Sequence, residues 1–190
     1  MRAKNLIIPG MLVSIFFLSL FTSLISAPQV VWASNTNPAK SADNDNSRQG
    51  ISSNFPHSIQ QWKEIIERNA INLNLDPNLI ASVIMQESGG DAQAYSSSGA
   101  VGLMQVMPRD GLAAGFICNG IPCFQSRPSM QELFDPDFNI EYGSRMLNGL
   151  INKYGNWREA LRFYGPMDVG YEYADLVLLI NNKFQNGNDF

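Results

Sequence analysis

The sequence predicts an all-α globular domain that follows a separate N-terminal segment. From residue 58 onward the apolar residues recur near the 3.6-residue spacing of helices, and no stretch alternates apolar and polar residues as a half-buried strand would. Glycine and proline signals divide this part into helices, and its length of about 135 residues is normal for one domain. We therefore expect a helical globule with functional loops rather than an extended bundle.

The first two long helices have clear start signals. Ser58 can cap the first of them. Its apolar residues are Ile59, Trp62, Ile65, Ile66 and Ile71. Asp76-Pro77 starts the second, as a cap followed by proline at the first helical position, and Gly89-Gly90 stops it. Short helices are expected at residues 103–107, before Pro108, and at 128–134.

Three further helices complete the domain. The first begins at Asp137 or Asn139 and ends at Gly155. Asn156 caps the second, which Gly165-Pro166 breaks. The last is expected over residues 171–183, and its apolar residues repeat at helical spacing.

The N-terminal segment is typical of export. Basic Arg2 and Lys4 precede an uncharged, mostly apolar run over residues 6–25. Ala33 offers a small residue for cleavage, so residues 1–33 are predicted to be a signal peptide. The run is also close to the ~20 residues that span a bilayer, so an uncleaved signal anchor stays open. Either way the rest is expected in the periplasm, cell wall or extracellular space.

Composition sets two further limits. Residues 34–57 are rich in Ser, Asn and Asp and poor in large apolar residues, which predicts a disordered linker and places the domain at residues 58–190. The chain holds 13 Lys+Arg and 17 Asp+Glu, a net charge of −4 without a basic run, which argues against a nucleic-acid partner.

The cysteines and the histidine restrict the chemistry. Cys118 and Cys123 are the only cysteines, and in an exported chain this pair predicts a disulfide that closes a small surface loop. A metal site would need further ligands, and the only histidine, His57, lies beside the linker. A single histidine also argues against Ser-His and Cys-His nucleophiles.

Glu87 is the strongest candidate catalytic residue. It falls in the last turn of an apolar helix, where burial and the negative end of the helix dipole both disfavour the ionised form. Both effects raise the pKa, as a general acid working near neutral pH requires. The alternative is a solvated glutamate at a helix end. Ser88 and Gln105 could bind sugar hydroxyl and acetamido groups, and Met104 offers an apolar contact or ordinary core packing.

Three motifs together resemble one family, the lytic transglycosylases related to goose-type lysozyme. Residues 84–88 match its catalytic Glu-Ser helix end, and residues 98–108 match its Gly-Leu-Met-Gln motif. Residues 133–143, Leu-Phe-Asp-Pro through Asn-Ile to Gly, resemble the approach to its long helix. The resemblance covers roughly residues 62–177 and implies a lysozyme-like helical domain with a substrate groove.

The resemblance also implies roles for single residues. Glu87 would be the catalytic acid, Tyr164 would reach it and hold its orientation, and Tyr173 would line the groove. Ser88, Met104 and Gln105 would contact the substrate. The chain departs from the family after Tyr164, where the usual Ala-Tyr-Asn-Ala-Gly is replaced by Phe163-Tyr164-Gly165-Pro166. The missing asparagine places one groove contact, and with it substrate preference, in question.

The activity implied is cleavage of peptidoglycan by one glutamate. Glu87 would protonate the bond between N-acetylmuramic acid and N-acetylglucosamine, and the sugar's 6-hydroxyl would close a 1,6-anhydro ring. No metal or organic cofactor is implied, and a monomer that acts on glycan strands is expected. Membrane contact would come only through an uncleaved N-terminal segment.

Two alternatives remain open. A lysozyme-like hydrolase would need a second carboxylate, for which Asp91 and Asp168 are the candidates, although both fit loop or cap positions. A catalytically weak peptidoglycan-binding module would fit the altered segment after Tyr164.

Overall fold

The computed structural model describes residues 50–166 and 168–187, so the predicted signal segment, residues 1–33, lies outside the described residues. The elements follow in the order α1 (His57–Gln60), α2 (Lys63–Leu73), α3 (Pro77–Ser88), a 3₁₀ helix (Gly111–Gly115), β1 (Ile117–Cys118), β2 (Ile121–Pro122), α4 (Met130–Leu133), α5 (Pro136–Tyr154), α6 (Trp157–Tyr164) and α7 (Glu172–Asn186). The all-α class is thereby confirmed. None of the helices described combines the length and the hydropathy that crossing a bilayer requires.

Helix α3 forms the centre of the core. Ile80, Val83 and Ile84 have no exposed surface, and the helix packs against α2 and α7. Its start is as predicted: the Asp76 side chain accepts a hydrogen bond from the Asn78 amide at 2.9 Å, and Pro77 takes the first helical position. Gly89, at φ +62°, ends it in the left-handed conformation. These local signals place Glu87 at the edge of the core.

Helix α5 begins earlier than predicted. The sequence predicts a start at Asp137 or Asn139, but Asp135 is the cap, accepting from the Phe138 amide at 2.8 Å, and Pro136 follows it. The earlier start places Asn139 within the helix, and its side chain is fully buried. The predicted end at Gly155 is confirmed.

The first predicted helix is two helices. The chain leaves α-helical hydrogen bonding at Gln61 and Trp62, so α1 and α2 are separate. The Trp62 indole N–H donates to the Gly90 carbonyl at 3.0 Å, which ties this junction to the loop after α3. Ile71, one of the apolar residues at helical spacing in this segment, is 68 % exposed.

The chain before α1 belongs to the fold. Ile51 and Phe55 are buried, and the Phe55 ring stacks on Phe184 with centroids 4.5 Å apart. The linker predicted over residues 34–57 therefore ends too late, because its last residues supply core side chains. The composition of residues 34–57 indicates only that the stretch is polar overall, so it could not predict that Ile51 and Phe55 are buried.

A small hairpin interrupts the helical pattern. Strands β1 and β2 pair antiparallel, with Ile117 opposite Pro122, so the expectation of no strand is wrong at this point. The strands have two residues each, too few to show an alternating pattern. The predicted disulfide joins Cys118 and Cys123 across the turn, with Cα atoms 4.9 Å apart. We call residues 116–123 the disulfide hairpin.

Candidate active site

Glu87 lies in the last turn of α3 and is mostly buried. The Tyr173 hydroxyl donates to Oε1 of Glu87 at 2.5 Å. Burial raises the pKa of Glu87 from 4.5 to about 7, and the hydrogen bond from Tyr173 opposes that rise because it stabilises the carboxylate. Near neutral pH both protonation states are therefore populated, which allows the group to give up a proton and take one back.

Tyr173 reaches Glu87 from the start of α7. Its side chain is buried, and its ring lies near the Tyr164 ring with centroids 6.5 Å apart and an interplanar angle of 18°. Burial, followed by the nearby carboxylate, raises the pKa of Tyr173 well above its usual value. The hydroxyl therefore keeps its proton and acts as a donor to Glu87.

Tyr164 has a different partner from the one predicted. Its hydroxyl donates to the backbone carbonyl of Met104 at 3.0 Å instead of reaching the acid. Tyr173, expected only to line a groove, is the residue that holds Glu87. Tyr173 therefore orients the Glu87 carboxyl, and Tyr164 holds the backbone at Met104.

That backbone is a tight turn over residues 101–106, which we call the motif turn. Two hydrogen bonds join Val101 and Val106 across it, at 3.0 and 3.1 Å. The helix predicted at residues 103–107 is therefore wrong. Gly102 adopts φ +75°, and a Cβ there would come within 2.4 Å of the Asn139 amide nitrogen. Glycine is required by both conformation and space.

The buried side chain of Asn139 binds the backbone of the motif turn. Its side-chain oxygen accepts from the Met104 amide at 2.8 Å, and its amide donates to the carbonyls of Val101 and Leu133 at 2.9 and 2.8 Å. Both polar atoms of the Asn139 side chain therefore have partners, as burial of an asparagine requires. The sequence resemblance included Asn139 only as part of a motif. Because it lies 35 residues after Met104, the sequence could not predict that the two residues are in contact.

Ser88 connects the acid's helix to the motif turn. Its hydroxyl donates to the Leu103 carbonyl at 2.9 Å and accepts from the Gly90 amide at 3.2 Å. The single hydroxyl proton is therefore already used within the protein. In this conformation Ser88 links the end of α3 to the motif turn, and its hydroxyl proton is not free for the predicted contact with the substrate.

The other two motif residues also face inward. Met104 is fully buried, and a Cβ on Gly143 would lie 2.5 Å from its sulfur, so we assign it the packing role that the sequence left open. The Gln105 amide nitrogen donates to the carbonyls of Ala94 and Gly102 at 3.2 and 3.0 Å. Its side-chain oxygen is the polar atom that remains for a ligand.

Arg127 is a nearby residue that the sequence interpretation missed. Its guanidinium donates to the Met146 sulfur at 2.7 Å and lies about 6 Å from the ring centres of Phe124 and Tyr142. Its charge favours ionisation of Tyr164, although burial dominates and raises the pKa of that tyrosine. The position follows the disulfide hairpin, so it could not be placed without the fold.

Asp91 and Asp168, the candidates for a second catalytic carboxylate, both lie outside the helices. Asp91 accepts from the Gln93 amide at 2.8 Å, as a turn residue does, and Asp168 is exposed. Within residues 50–166 and 168–187, no three His, Cys, Asp or Glu side chains are grouped as metal ligands.

Comparisons with known proteins point to one family. Residues 64–166 match the family model described as "Transglycosylase SLT domain". The chain is 37% identical over 98 residues to membrane-bound lytic murein transglycosylase E of Buchnera aphidicola subsp. Acyrthosiphon pisum, an alignment that covers 52% of this chain and 43% of that protein. It is 34% identical over 104 residues to the transglycosylase of Enterobacteria phage PRD1, covering 55% and 34%.

A solved structure supports the same fold. The chain superposes on the lytic transglycosylase Slt of Pseudomonas aeruginosa, an inactive mutant, with a TM-score of 0.53 and 24% identity over 70% of this chain and 25% of that one. This likeness confirms the expected lysozyme-like helical fold. The alignments with curated relatives span less than half the length of those proteins.

Proposed function

The chain belongs to the transglycosylase SLT domain family, whose model matches more than half of it, and we propose that it is a peptidoglycan lytic transglycosylase. The proposed reaction cleaves the β-1,4 bond between N-acetylmuramic acid and N-acetylglucosamine and leaves a 1,6-anhydromuramic end. The observation that carries the proposal is Glu87: a mostly buried carboxyl with a pKa of about 7 and one tyrosine donor.

Glu87 acts twice in this reaction. As the acid, it gives its proton to the glycosidic oxygen while the bond from that oxygen to the anomeric carbon breaks, and the substrate's acetamide stabilises the positive charge. As the resulting carboxylate, it removes the proton from the 6-hydroxyl, whose oxygen bonds to the same carbon. One proton leaves the glutamate and one returns, and no water is consumed.

The surroundings of Glu87 suit both steps. Burial keeps the proton on the carboxyl before the bond breaks, since the ionised form is poorly solvated. Once Glu87 is ionised, the Tyr173 hydroxyl stabilises the carboxylate through the 2.5 Å hydrogen bond. The opposing effects leave the pKa close to the pH at which acid and base roles are both accessible.

Recognition of the glycan is proposed to involve the motif turn. The Gln105 side-chain oxygen can accept from a sugar hydroxyl or acetamido N–H, while Tyr164 and Ser88 keep the turn in place through Met104 and Leu103. A rigid support of this kind contributes to the rate by positioning the bond at the acid.

The remaining expectations belong to this proposal. The domain is proposed to act as a monomer, outside the cytoplasm, on the peptidoglycan of the cell wall. Residues 1–33 would direct export, either as a cleaved signal peptide or as a membrane anchor. No cofactor is required by the reaction as written.

The test is a digest of purified peptidoglycan by the wild type and Glu87→Gln, with products analysed by mass spectrometry. Glutamine cannot donate or accept the proton, so we expect turnover to fall by at least about a thousandfold with glycan binding retained. Glu141→Gln, which changes an ion pair with Arg145 on the surface of α5, is the matched control and should keep activity.

The products separate the alternatives. An anhydro end is one water lighter than a reducing end. Reducing ends in the wild-type digest would show a lysozyme-like hydrolase instead, and binding without any product would show a binding module. Undiminished turnover by Glu87→Gln would mean that the acid lies elsewhere.

A further inference from the structure

Gly165 occupies a position where any side chain would meet Tyr173. It is the residue that ends α6, with φ −72° and ψ −175°, a conformation open to every amino acid. A Cβ at this position would lie 2.3 Å from Cγ and 2.4 Å from Cδ1 of the Tyr173 ring, and 2.9 Å from its Cβ. Space, and not backbone conformation, is what demands glycine here.

The Tyr173 side chain has little freedom to avoid such a contact. The atoms that a side chain at position 165 would contact are Cβ, Cγ and Cδ1 of Tyr173, which lie close to the backbone. They can move only if the Tyr173 side chain changes rotamer or if the start of α7 shifts. The side chain is 6 % exposed, and the Tyr164 ring lies beside it. Either movement would carry the hydroxyl away from Glu87.

The same position is where the chain departs from its family. The usual pattern places asparagine directly after the helix tyrosine, and this chain has Gly165 after Tyr164. We propose that Gly165 is a positioning residue. Because it has no side chain, the Tyr173 ring can occupy the space beside it, and in that position the Tyr173 hydroxyl reaches Glu87. The proposal rests on the proposed function for its catalytic meaning, whereas the link from Gly165 to Glu87 can be measured without substrate.

The contacts predict the direction in which a side chain at position 165 would shift the pKa of Glu87. The hydrogen bond from Tyr173 lowers the pKa of Glu87 against the rise caused by burial. A side chain at position 165 would weaken that bond, so Glu87 would hold its proton to a higher pH. Activity that needs protonated Glu87 would then extend to higher pH, while the maximal rate would fall because the carboxyl is less well oriented and the carboxylate less stabilised.

The experiment is an NMR titration of the Glu87 carboxyl, with ¹³C-labelled glutamate, in the full chain. We compare the wild type, Gly165→Ala, Tyr173→Phe and the double variant, with Gly149→Ala as the control because a Cβ there meets nothing within 4 Å. Gly165→Ala and Tyr173→Phe should each raise the titration midpoint by about one pH unit, as expected for loss of a hydrogen bond to a charged group.

The double variant decides the mechanism. If Gly165 acts through the tyrosine hydroxyl, Gly165→Ala should have no further effect on the midpoint once Tyr173 is phenylalanine. Additive shifts, or an unchanged midpoint in folded Gly165→Ala, would overturn the proposal. Should Gly165→Ala fail to fold, Tyr173→Ala must restore folding in that background by removing the ring, and failure to restore it would also overturn the proposal.

Activity assays then separate this proposal from the proposed function. The alkaline limb of the pH profile for kcat should move upward in Gly165→Ala and stay in place in Gly149→Ala. If Glu87→Gln keeps its turnover, the proposed function fails, yet the titrations still show whether Gly165 controls the carboxyl. If Glu87→Gln is inactive but the titrations show no coupling, only the positioning role is lost.

Discussion

The motif turn and the disulfide hairpin are neighbours in sequence but are held in opposite ways. In the turn, Val101, Leu103 and Met104 have no exposed surface, and side chains from three helices bind its backbone. In the hairpin, Ile117 and Ile121 are more than half exposed, and one disulfide closes a two-residue ladder. Tertiary contacts therefore determine the geometry beside the acid, whereas a local covalent bond determines the hairpin.

The strongest test of this contrast is Asn139→Leu. The substitution removes the Asn139 partner of the Met104 amide and of the Leu133 carbonyl, and it leaves the Val101 carbonyl with only the Val106 amide. We therefore expect a loss of about 3–5 kcal/mol in the free energy of unfolding. Urea denaturation measures it. Asn152→Leu, at an exposed position of the same helix, is the control and should change stability by less than about 0.5 kcal/mol. Equal effects would refute the role given to Asn139.

The next largest effect concerns the acid itself. Because burial raises the pKa of Glu87 from 4.5 to about 7, the folded state holds its proton more tightly than the unfolded state. Stability from this group is fully present below pH 4.5 and falls as the pH rises toward 7, reaching a cost of up to about 3 kcal/mol above it.

Glu87→Gln removes that cost. The variant should be more stable than the wild type by about 1–3 kcal/mol at pH 8.5, with the difference vanishing near pH 4. Thermal or urea unfolding across this pH range gives the measurement, with Glu141→Gln as the surface control. A constant difference at all pH values would show that Glu87 does not titrate in the folded protein as described.

The hairpin should show the smallest and most local effect. Replacing Cys118 and Cys123 with serine opens a short loop, so the loss of stability should be at most about 2 kcal/mol. Hydrogen exchange should speed up at the Cys123 amide, which donates to the Phe116 carbonyl at 2.8 Å. The Glu87 titration should stay unchanged, and a shifted midpoint would show that the two regions are coupled after all.

The same contrast explains what could be predicted from the sequence. Asp76, Gly89, Gly155 and Asn156 act on their own helices through contacts two to four residues away, so the sequence pattern predicts them. Those signals also fixed the place of Glu87 at a helix end. The short helix expected at residues 103–107 failed because side chains from distant helices bind the backbone there.

The contacts that complete the site are remote in sequence. Tyr173 and Glu87 are separated by 86 residues, and Tyr164 and Met104 by 60. The family resemblance predicts that Tyr164 reaches the acid and that Tyr173 lines the groove, but the sequence cannot show which tyrosine bonds to Glu87. For that reason the prediction gives Tyr164 the role that Tyr173 has, and the space at Gly165 is visible only when α6 and α7 are placed together.

The attachment of the chain before α1 has a mechanical consequence. Ser52 and Asn54 both donate to the Phe184 carbonyl, at 2.7 and 3.0 Å, near the last turn of α7. Phe184 lies 11 residues beyond Tyr173 on that helix, about 16 Å along its axis. Tension arriving through residue 50 would therefore be shared between the far end of α7, Glu67 of α2, which accepts from the Ile51 amide at 2.9 Å, and Asn78 at the start of α3, which accepts from the Ser52 amide at 2.7 Å.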